Sequence, residues 1–464
     1  MMKGCSIVKW GWAGCLAVCV AVAGAARAAS FEGLGMLDGG ADSEAVAVSA
    51  DGSVVVGTSG TASGQQAFRW TADGGMVPVP IPAGLTSTWG TDVSADGSIV
   101  LGQGRQSASP PFGYEGFRWS IISGALDPIA EPGSNVYANA ISADGSTVVG
   151  AWGVPGGDEH AYQWTAAGGL APLEGLGAEP LRTTAQAVSA DGLVVVGHRI
   201  YTASPWRDGF RWTQAAVAGI SNFEASDVSD DGSVVVGTMD NHETQLFEAY
   251  RWTEQDGVVP LGTCLPNFQS RALAVSADGS IIVGYVQNNS GYDEQKAFIW
   301  DQQHGMRLLN EVLEGEFALD LSDWHLTEPW SSWKATDISA DGTTIVGVAV
   351  NADNQREAWR AVISELPVPG DADGDGNVGA YDYVALKRNI GMDYGASREQ
   401  GDFDGDRDVD RDDLLILIAG LTRASSRGPS PNGAGQVPEP TAISLLALGG
   451  LALVRRKRRP LSRQ

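Results

Sequence analysis

The sequence predicts an all-β fold, a seven-bladed β-propeller closed by its N-terminal strand, followed by a small α-helical module on two acidic loops. Three observations lead there. A Ser-Ala-Asp-Gly turn at Ser49–Gly52 recurs with its acid at Asp96, Asp144, Asp191, Asp231, Asp278 and Asp341. A glycine stands six residues after each of these acids, from Gly57 to Gly347. An aromatic pair then flanks one residue at Phe68-Arg69-Trp70, Phe117-Arg118-Trp119, Tyr162-Gln163-Trp164, Phe210-Arg211-Trp212, Tyr250-Arg251-Trp252 and Phe298-Ile299-Trp300, while the seventh copy ends Trp359-Arg360-Ala361.

Each copy translates into one unit of structure. Asp-Gly between branched runs such as Val54-Val55-Val56 signals a hairpin, because glycine accepts a positive φ in the turn. The two aromatics fall on one face of a strand and the residue between them on the other. A second tight turn at Ala72–Gly75 leads to a weaker fourth strand, Met76 to Pro80. One such sheet cannot bury its aromatic face alone, so neighbouring copies must stack. Four-stranded units of about 40 to 50 residues suit propeller blades, with a solenoid as the alternative. The seventh copy stops at Ile363–Leu366 without a fourth strand, whereas Leu34–Leu37 reads as a fourth strand with no unit before it. A ring completed by the spare strand would also remove two open sheet edges. The body is therefore expected over residues 31–366. Its longest insertion, Glu311 to Trp333, carries Trp324, Trp330 and Trp333. In wording the repeats resemble the HAF family of extracellular repeats, with Glu159-His160-Ala161-Tyr162 the nearest copy, and that resemblance implies an extracellular location.

Both ends read as addresses. Lys3 and Lys9 precede an apolar run from Trp10 to Ala25, and Ala26-Arg27-Ala28 offers small residues for cleavage. This is the layout of a secretory signal peptide over residues 1–28, removed by signal peptidase, with a membrane anchor or a lipoprotein at Cys15 as alternatives. At the other end Pro438-Glu439-Pro440 precedes an apolar run from Thr441 to Val454 and the basic block Arg455–Arg459. Fourteen helical residues reach about 21 Å, short of the roughly 30 Å of hydrocarbon. Residues 437–464 resemble the PEP-CTERM sorting signal of two-membrane bacteria. The resemblance implies a transient inner-membrane intermediate, cleavage by an exosortase, and delivery to the cell surface or extracellular matrix.

Without these ends the chain keeps 21 basic and 55 acidic residues, a net charge of −34. Such a surface repels phosphate backbones, so no nucleic-acid partner is expected. Cys264 is the one cysteine outside the leader, which excludes an intramolecular disulfide in the mature body.

After a stiff linker over residues 367–370 comes Asp371-Ala372-Asp373-Gly374-Asp375-Gly376-Asn377, ending the loop at Asp382. Oxygen ligands at Asp371, Asp373, Asp375, Asn377 and Asp382, with Gly376 at the sharp turn, form the clustering a hard Ca²⁺ ion needs. A second loop begins at Asp402 and continues through Asp404, Asp406, Asp408, Asp410 and Asp413, its ligands taken as Asp402, Asp404, Asp406, Asp408 and Asp413, with Arg407 where the turn glycine would stand. Short apolar helices are expected after each, at Val384 to Ile390 and Leu414 to Leu421. Residues 371–422 resemble a type I dockerin, which implies two Ca²⁺ ions and docking onto a cohesin. On the family's recognition positions stand Ala380, Tyr381, Lys387 and Arg388; the second half has Arg411-Asp412 and Ile418-Ala419 instead. Stiffening of the junction is the alternative to docking. Residues 423–436 read as a flexible linker.

No catalytic motif emerges. His160, His198, His242, His304 and His325 lack metal-ligand spacing, and the repeated turn acids are expected to serve the turns. Glu115, Asp208, Glu248 and Glu357 recur just before the small-aromatic pair, where their near-equivalence argues against a split acid–base pair. The chain is therefore expected not to be an enzyme, with a secreted polysaccharide-degrading hydrolase or lyase as the runner-up. Tyr114, Tyr201, Trp206 and Tyr292 lie on variable connections and are candidates for stacking on an extracellular polysaccharide.

Overall fold

The computed structural model describes residues 29–363, apart from 107–112, 132–133, 154–157, 178–179, 202–203, 242–245, 289–293 and 327–331. Beyond these it describes 372, 378, 380–392, 400–401, 408–411 and 413–418. The expected signal peptide, both linkers and Pro438, Glu439 and Pro440 lie outside the described residues.

The body is predominantly β and consists of four-stranded antiparallel units. In the first, Ser43–Val48, Val54–Thr61, Gly64–Thr71 and Gly75–Pro78 pair in chain order. Units over 85–128, 135–172, 180–220, 223–262 and 268–308 repeat that order, the third and fourth joined by one parallel bridge, Glu159 to Arg182. The seventh holds Lys334–Ile338, Thr344–Val350 and Arg356–Val362, and its fourth strand is Ser30–Gly33 from the other end of the chain. Each sheet is open; none closes on itself.

The N-terminal strand corrects the sequence expectation by four residues. Phe31, not Leu34, sits in the strand, stacked on Trp359 at 5.2 Å and edge-on to Trp324 at 5.2 Å. Leu34 donates its N–H to the Ala358 carbonyl, as Val79, Ile129 and Leu173 do to Ala67, Gly116 and Ala161. Leu34 and Leu37 are therefore the apolar plug that follows a fourth strand, buried with Val55, Phe68 and Val346.

The repeated turn is wider than a two-residue hairpin. Ser49 and Val54 pair at its base, and Gly52 takes φ 69°. The buried Ser49 hydroxyl donates to Asp51 and accepts from the Val54 N–H, while Asp51 accepts from the Ser53 N–H. All seven copies build this knot, which explains why Ser and Asp recur together. The turns also bond in series at 2.9–3.2 Å: Ala50 donates to Ala95, Ala95 to Ala143, Ala143 to Ala190, Ala190 to Asp230, Asp230 to Ala277, Ala277 to Ala340, and Ala340 to Ala50.

The glycine six residues on is explained by close approach. The first, or inner, strand of each unit pairs with the second through a register shift, as between Ala45 and Ala47, and a bulge presses the backbone toward its neighbour. A Cβ on Gly57 would stand 2.0 Å from the Glu44 carbonyl oxygen, and one on Gly347 1.9 Å from that of Lys334. The insertion before the last sheet adds a helix, Leu309–Gly315, that the sequence did not signal. With it Trp333 is fully buried and its ring lies 6.1 Å from that of Trp359.

Candidate functional site

Adjacent sheets meet at paired positions whose chemistry changes from junction to junction. Tyr114 of the second sheet packs on Tyr137 of the third at 5.0 Å, with Trp89 at 6.0 Å. Arg207 pairs with Glu224 across the fourth and fifth sheets, and Arg271 covers the Phe247 ring at 4.5 Å across the fifth and sixth. Arg356 of the seventh reaches Glu44 of the first at 3.2 Å. Tyr114 therefore serves a junction. Tyr201 lies under the Arg199 guanidinium at 6.0 Å. Trp206 belongs to the strand Ser204–Thr213, its side chain outside the described residues, as is all of Tyr292.

The acids before the aromatic pair have local partners. Glu115 accepts from Gln106, Asp208 from the Asn222 N–H, Glu248 from the Tyr250 hydroxyl, and Glu357 from Asn351 and the Gly35 N–H. Sequence reasoning missed Trp152, a partly exposed indole whose ring is 5.8 Å from His160. It borders a shallow cleft of about 490 Å³ with Ile129, Glu131, Val136 and Leu170. Its one signal was its place on the second strand, where the other copies carry Ser59, Gly104, Arg199, Met239, Val286 and Ala349 and none has an aromatic.

Two sets of aspartates behave oppositely. Hydrogen bonds from the neighbouring serines hold Asp96, Asp144, Asp191 and Asp231 below the usual carboxylate range. In Asp51, Asp278 and Asp341 partial burial pushes upward, and the same bonds outweigh it. Asp92, Asp227 and Asp337, four residues before turn acids, are instead pushed up by burial, Asp92 to about 7 and Asp227 to about 6.

In the C-terminal module the helix Ala380–Asn389 and residues 413–418 share a small core of Ala372, Val378, Leu386, Val409, Leu414 and Leu417. Asp382, in the first turn of the helix, is buried and accepts the Ala372 N–H at 2.7 Å. Asp413 is fully buried and accepts the Asp410 N–H at 2.8 Å. One carboxylate oxygen from each of Asp408, Asp410 and Asp413 lies within 4.8 Å of the others, so the structure adds Asp410 to the expected set. Such a cluster of hard oxygens fits a cation like Ca²⁺. Asp371, Asp373, Asp375, Asn377, Asp402, Asp404 and Asp406 lie outside the described residues, as do the side chains of Ala380 and Tyr381, while Lys387 and Arg388 are exposed on the helix.

Residues 369–422 match the family model of the dockerin type I domain. This segment is dockerin-like. Dockerins of this type typically bind calcium and imply a cohesin partner. Residues 436–459 match the PEP-CTERM protein-sorting motif, which implies exosortase processing and export to the surface of Gram-negative bacteria. The dockerin thus lies just before a sorting signal. Among the described residues no helix is long and apolar enough to cross a membrane. A search of curated proteins finds no match to the chain.

Solved structures similar to the chain include the β-propeller domain of the Trilobed protease from Pyrococcus furiosus, at 11% identity and TM-score 0.44, covering 72% of this chain and 94% of that one. An oligogalacturonate lyase from Vibrio parahaemolyticus aligns at 11% identity and TM-score 0.46, covering 73% and 98%. A prolyl endopeptidase aligns at 9% and 0.47, covering 70% and 50%. Likeness at this level concerns fold alone. The expectation of a non-enzyme is nevertheless withdrawn: enzymes stand among the similar structures, and at this identity and TM-score they assign the chain no activity.

Proposed function

We propose that the chain is a surface-displayed binding protein: a seven-bladed ring that holds an extracellular polymer, joined to a dockerin that binds two Ca²⁺ ions and docks a cohesin. The observation that carries it is a dockerin match followed in the same chain by a sorting-motif match. The proposed divisions are a leader at 1–28, the ring at 31–366 with its first strand starting at Ser30, the dockerin at 371–422 and the tail at 437–464. Ring closure is supported by the cycle of turn bonds that returns from Ala340 to Ala50. The seam between the last and first sheets also repeats bonds of internal junctions. Ala358 donates to Ser43 there, as Ala249 does to Ser270 and Ala67 to Thr88. The Arg360 guanidinium reaches the Gly52 carbonyl, as Arg211 reaches that of Gly232.

Polymer binding is supported by Trp152, which offers an indole face beside the cleft. Trp152→Ala is expected to weaken retention on an immobilised matrix polysaccharide by about 0.5–1.5 kcal/mol, the scale of one stacked ring, with the melting curve unchanged. Equal retention by the variant would remove the cleft from the reading. Reducing ends measured in the same incubation report cleavage, and their steady release would assign the body a lyase or hydrolase activity. For the tail, mass spectrometry of the surface form is expected to find no peptide from Leu445 to Gln464. An intact C-terminus at the outer surface would sink the sorting reading.

A further inference from the structure

We propose that Asp92, Asp227 and Asp337 form a proton-dependent clasp between sheets, one that stabilises the fold most while the three carboxyls keep their protons and less as they ionise. Each occupies the same place in its inner strand, four residues before a turn acid, where the other copies have Ala47, Ala140, Ala187 and Ala274. Each uses its two oxygens on two sheets. Asp92 accepts from its neighbour Val93 at 2.7 Å and from Ile141 of the third sheet at 2.8 Å. Asp227 accepts from Val228 and from Val275 of the sixth sheet, both at 2.8 Å. Asp337 accepts from Ile338 and, across the seam, from Val48 of the first sheet, both at 2.8 Å. Three acids thereby serve six of the seven equivalent backbone N–H groups and lock three junctions: second to third, fifth to sixth, and seventh to first.

The three also act on one another. Asp92 and Asp337 both feel the charge of Asp227, and Asp337 feels that of Asp92, although the residues come from three separate sheets. Asp227 has Asp230 as a further acidic neighbour. The charged groups acting on the clasp are thus one another and Asp230, all of one sign. Each side chain keeps some accessible surface, yet burial is the largest influence on all three. The hydrogen bonds favour the ionised form, and the scarcity of water around it together with like-charge repulsion outweighs them.

The sign follows from linkage. Carboxyls raised in the folded state bind more protons there than in the unfolded chain, so their stabilisation is complete below the ordinary value of 3.8 and is lost as pH rises through about 6 and about 7. The seven turn acids, all lowered, act in the opposite sense and lose their stabilisation as pH falls below 3.8. Stability is expected to peak at mildly acidic pH and to fall toward neutrality.

Tryptophan fluorescence of the protein without residues 1–28, in excess Ca²⁺, reads the body by itself, because Trp10 and Trp12 go with that segment and residues 364–464 contain no Trp. The melting temperature is expected to fall between about pH 5 and about pH 8, where ordinary carboxylates no longer titrate. The triple variant Asp92→Ala, Asp227→Ala, Asp337→Ala, which installs the residue of the other four copies, is expected to lose most of that slope. An unchanged slope in a folded triple variant overturns the clasp. If that variant does not fold, infrared spectra of the unaltered protein decide: a protonated-carboxyl stretch that disappears over the same interval supports the clasp, and its absence at about pH 5 overturns it.

Discussion

Chelation of Ca²⁺ is expected to unfold the dockerin and leave the tryptophan-reported melting of the β body unchanged. Residues 371–422 carry thirteen acidic and five basic residues, and their described core is a handful of side chains around Leu386, Val409 and Leu414. A segment that small has little apolar surface to set against chain entropy. Its carboxylates converge, with Asp408, Asp410 and Asp413 close together and Asp413 fully buried. Without a cation that convergence is repulsive; with one it becomes the main source of stability. Each site held at a thousand times its dissociation constant adds about 4 kcal/mol. Calorimetry is expected to find two sites, the first tighter because its sequence has Gly376 at the sixth loop position, where glycine bends most easily and the second has Arg407. Asp413→Ala is expected to abolish the second site, since it removes a clustered carboxylate and the acceptor of the Asp410 N–H. Full helical circular dichroism in excess chelator would end the idea.

Deleting residues 30–33 is the second large effect expected. The deletion uncovers the edge of Arg356–Val362, removes Phe31 from between Trp359 and Trp324, and takes Glu32 away from Arg360. Arg360 is almost fully buried, and a buried cation that loses its partner costs about 3–5 kcal/mol. Its bond to the Gly52 carbonyl persists, so the lower end applies. Loss of a half-buried phenyl ring adds about 2 kcal/mol. The bare edge should also recruit other chains. The measurements are the melting temperature and sedimentation of the deletion form in excess Ca²⁺. An undisturbed monomer melting at the original temperature would show that the strand closes nothing.

The unit of repetition was legible because it is local. A turn in which Ser, Asp and Gly bond one another within five residues leaves the same letters at each copy, and a strand that buries alternate aromatics leaves a period of two. The dockerin loops were legible for a similar reason: a cation gathers oxygens from positions one or two residues apart. The aromatic ligand candidates were harder to read, because a tyrosine on a variable connection looks the same whether it meets a ligand or, as Tyr114 does, the next sheet.

By itself the sequence determined seven copies, their strand-turn-strand order, the paired acidic loops and the sorting signal, all set by residues near one another in the chain. The tertiary structure decided which strand completes the seventh sheet, that Gly57 and its equivalents exist for a bulged neighbour, and that Asp92, Asp227 and Asp337 each bridge two sheets. Asp92 and Asp337 are 245 positions apart, and nothing local marks them, since alanine holds the same place in four copies. Their bonds to Ile141, Val275 and Val48 arise only when neighbouring sheets pack side by side.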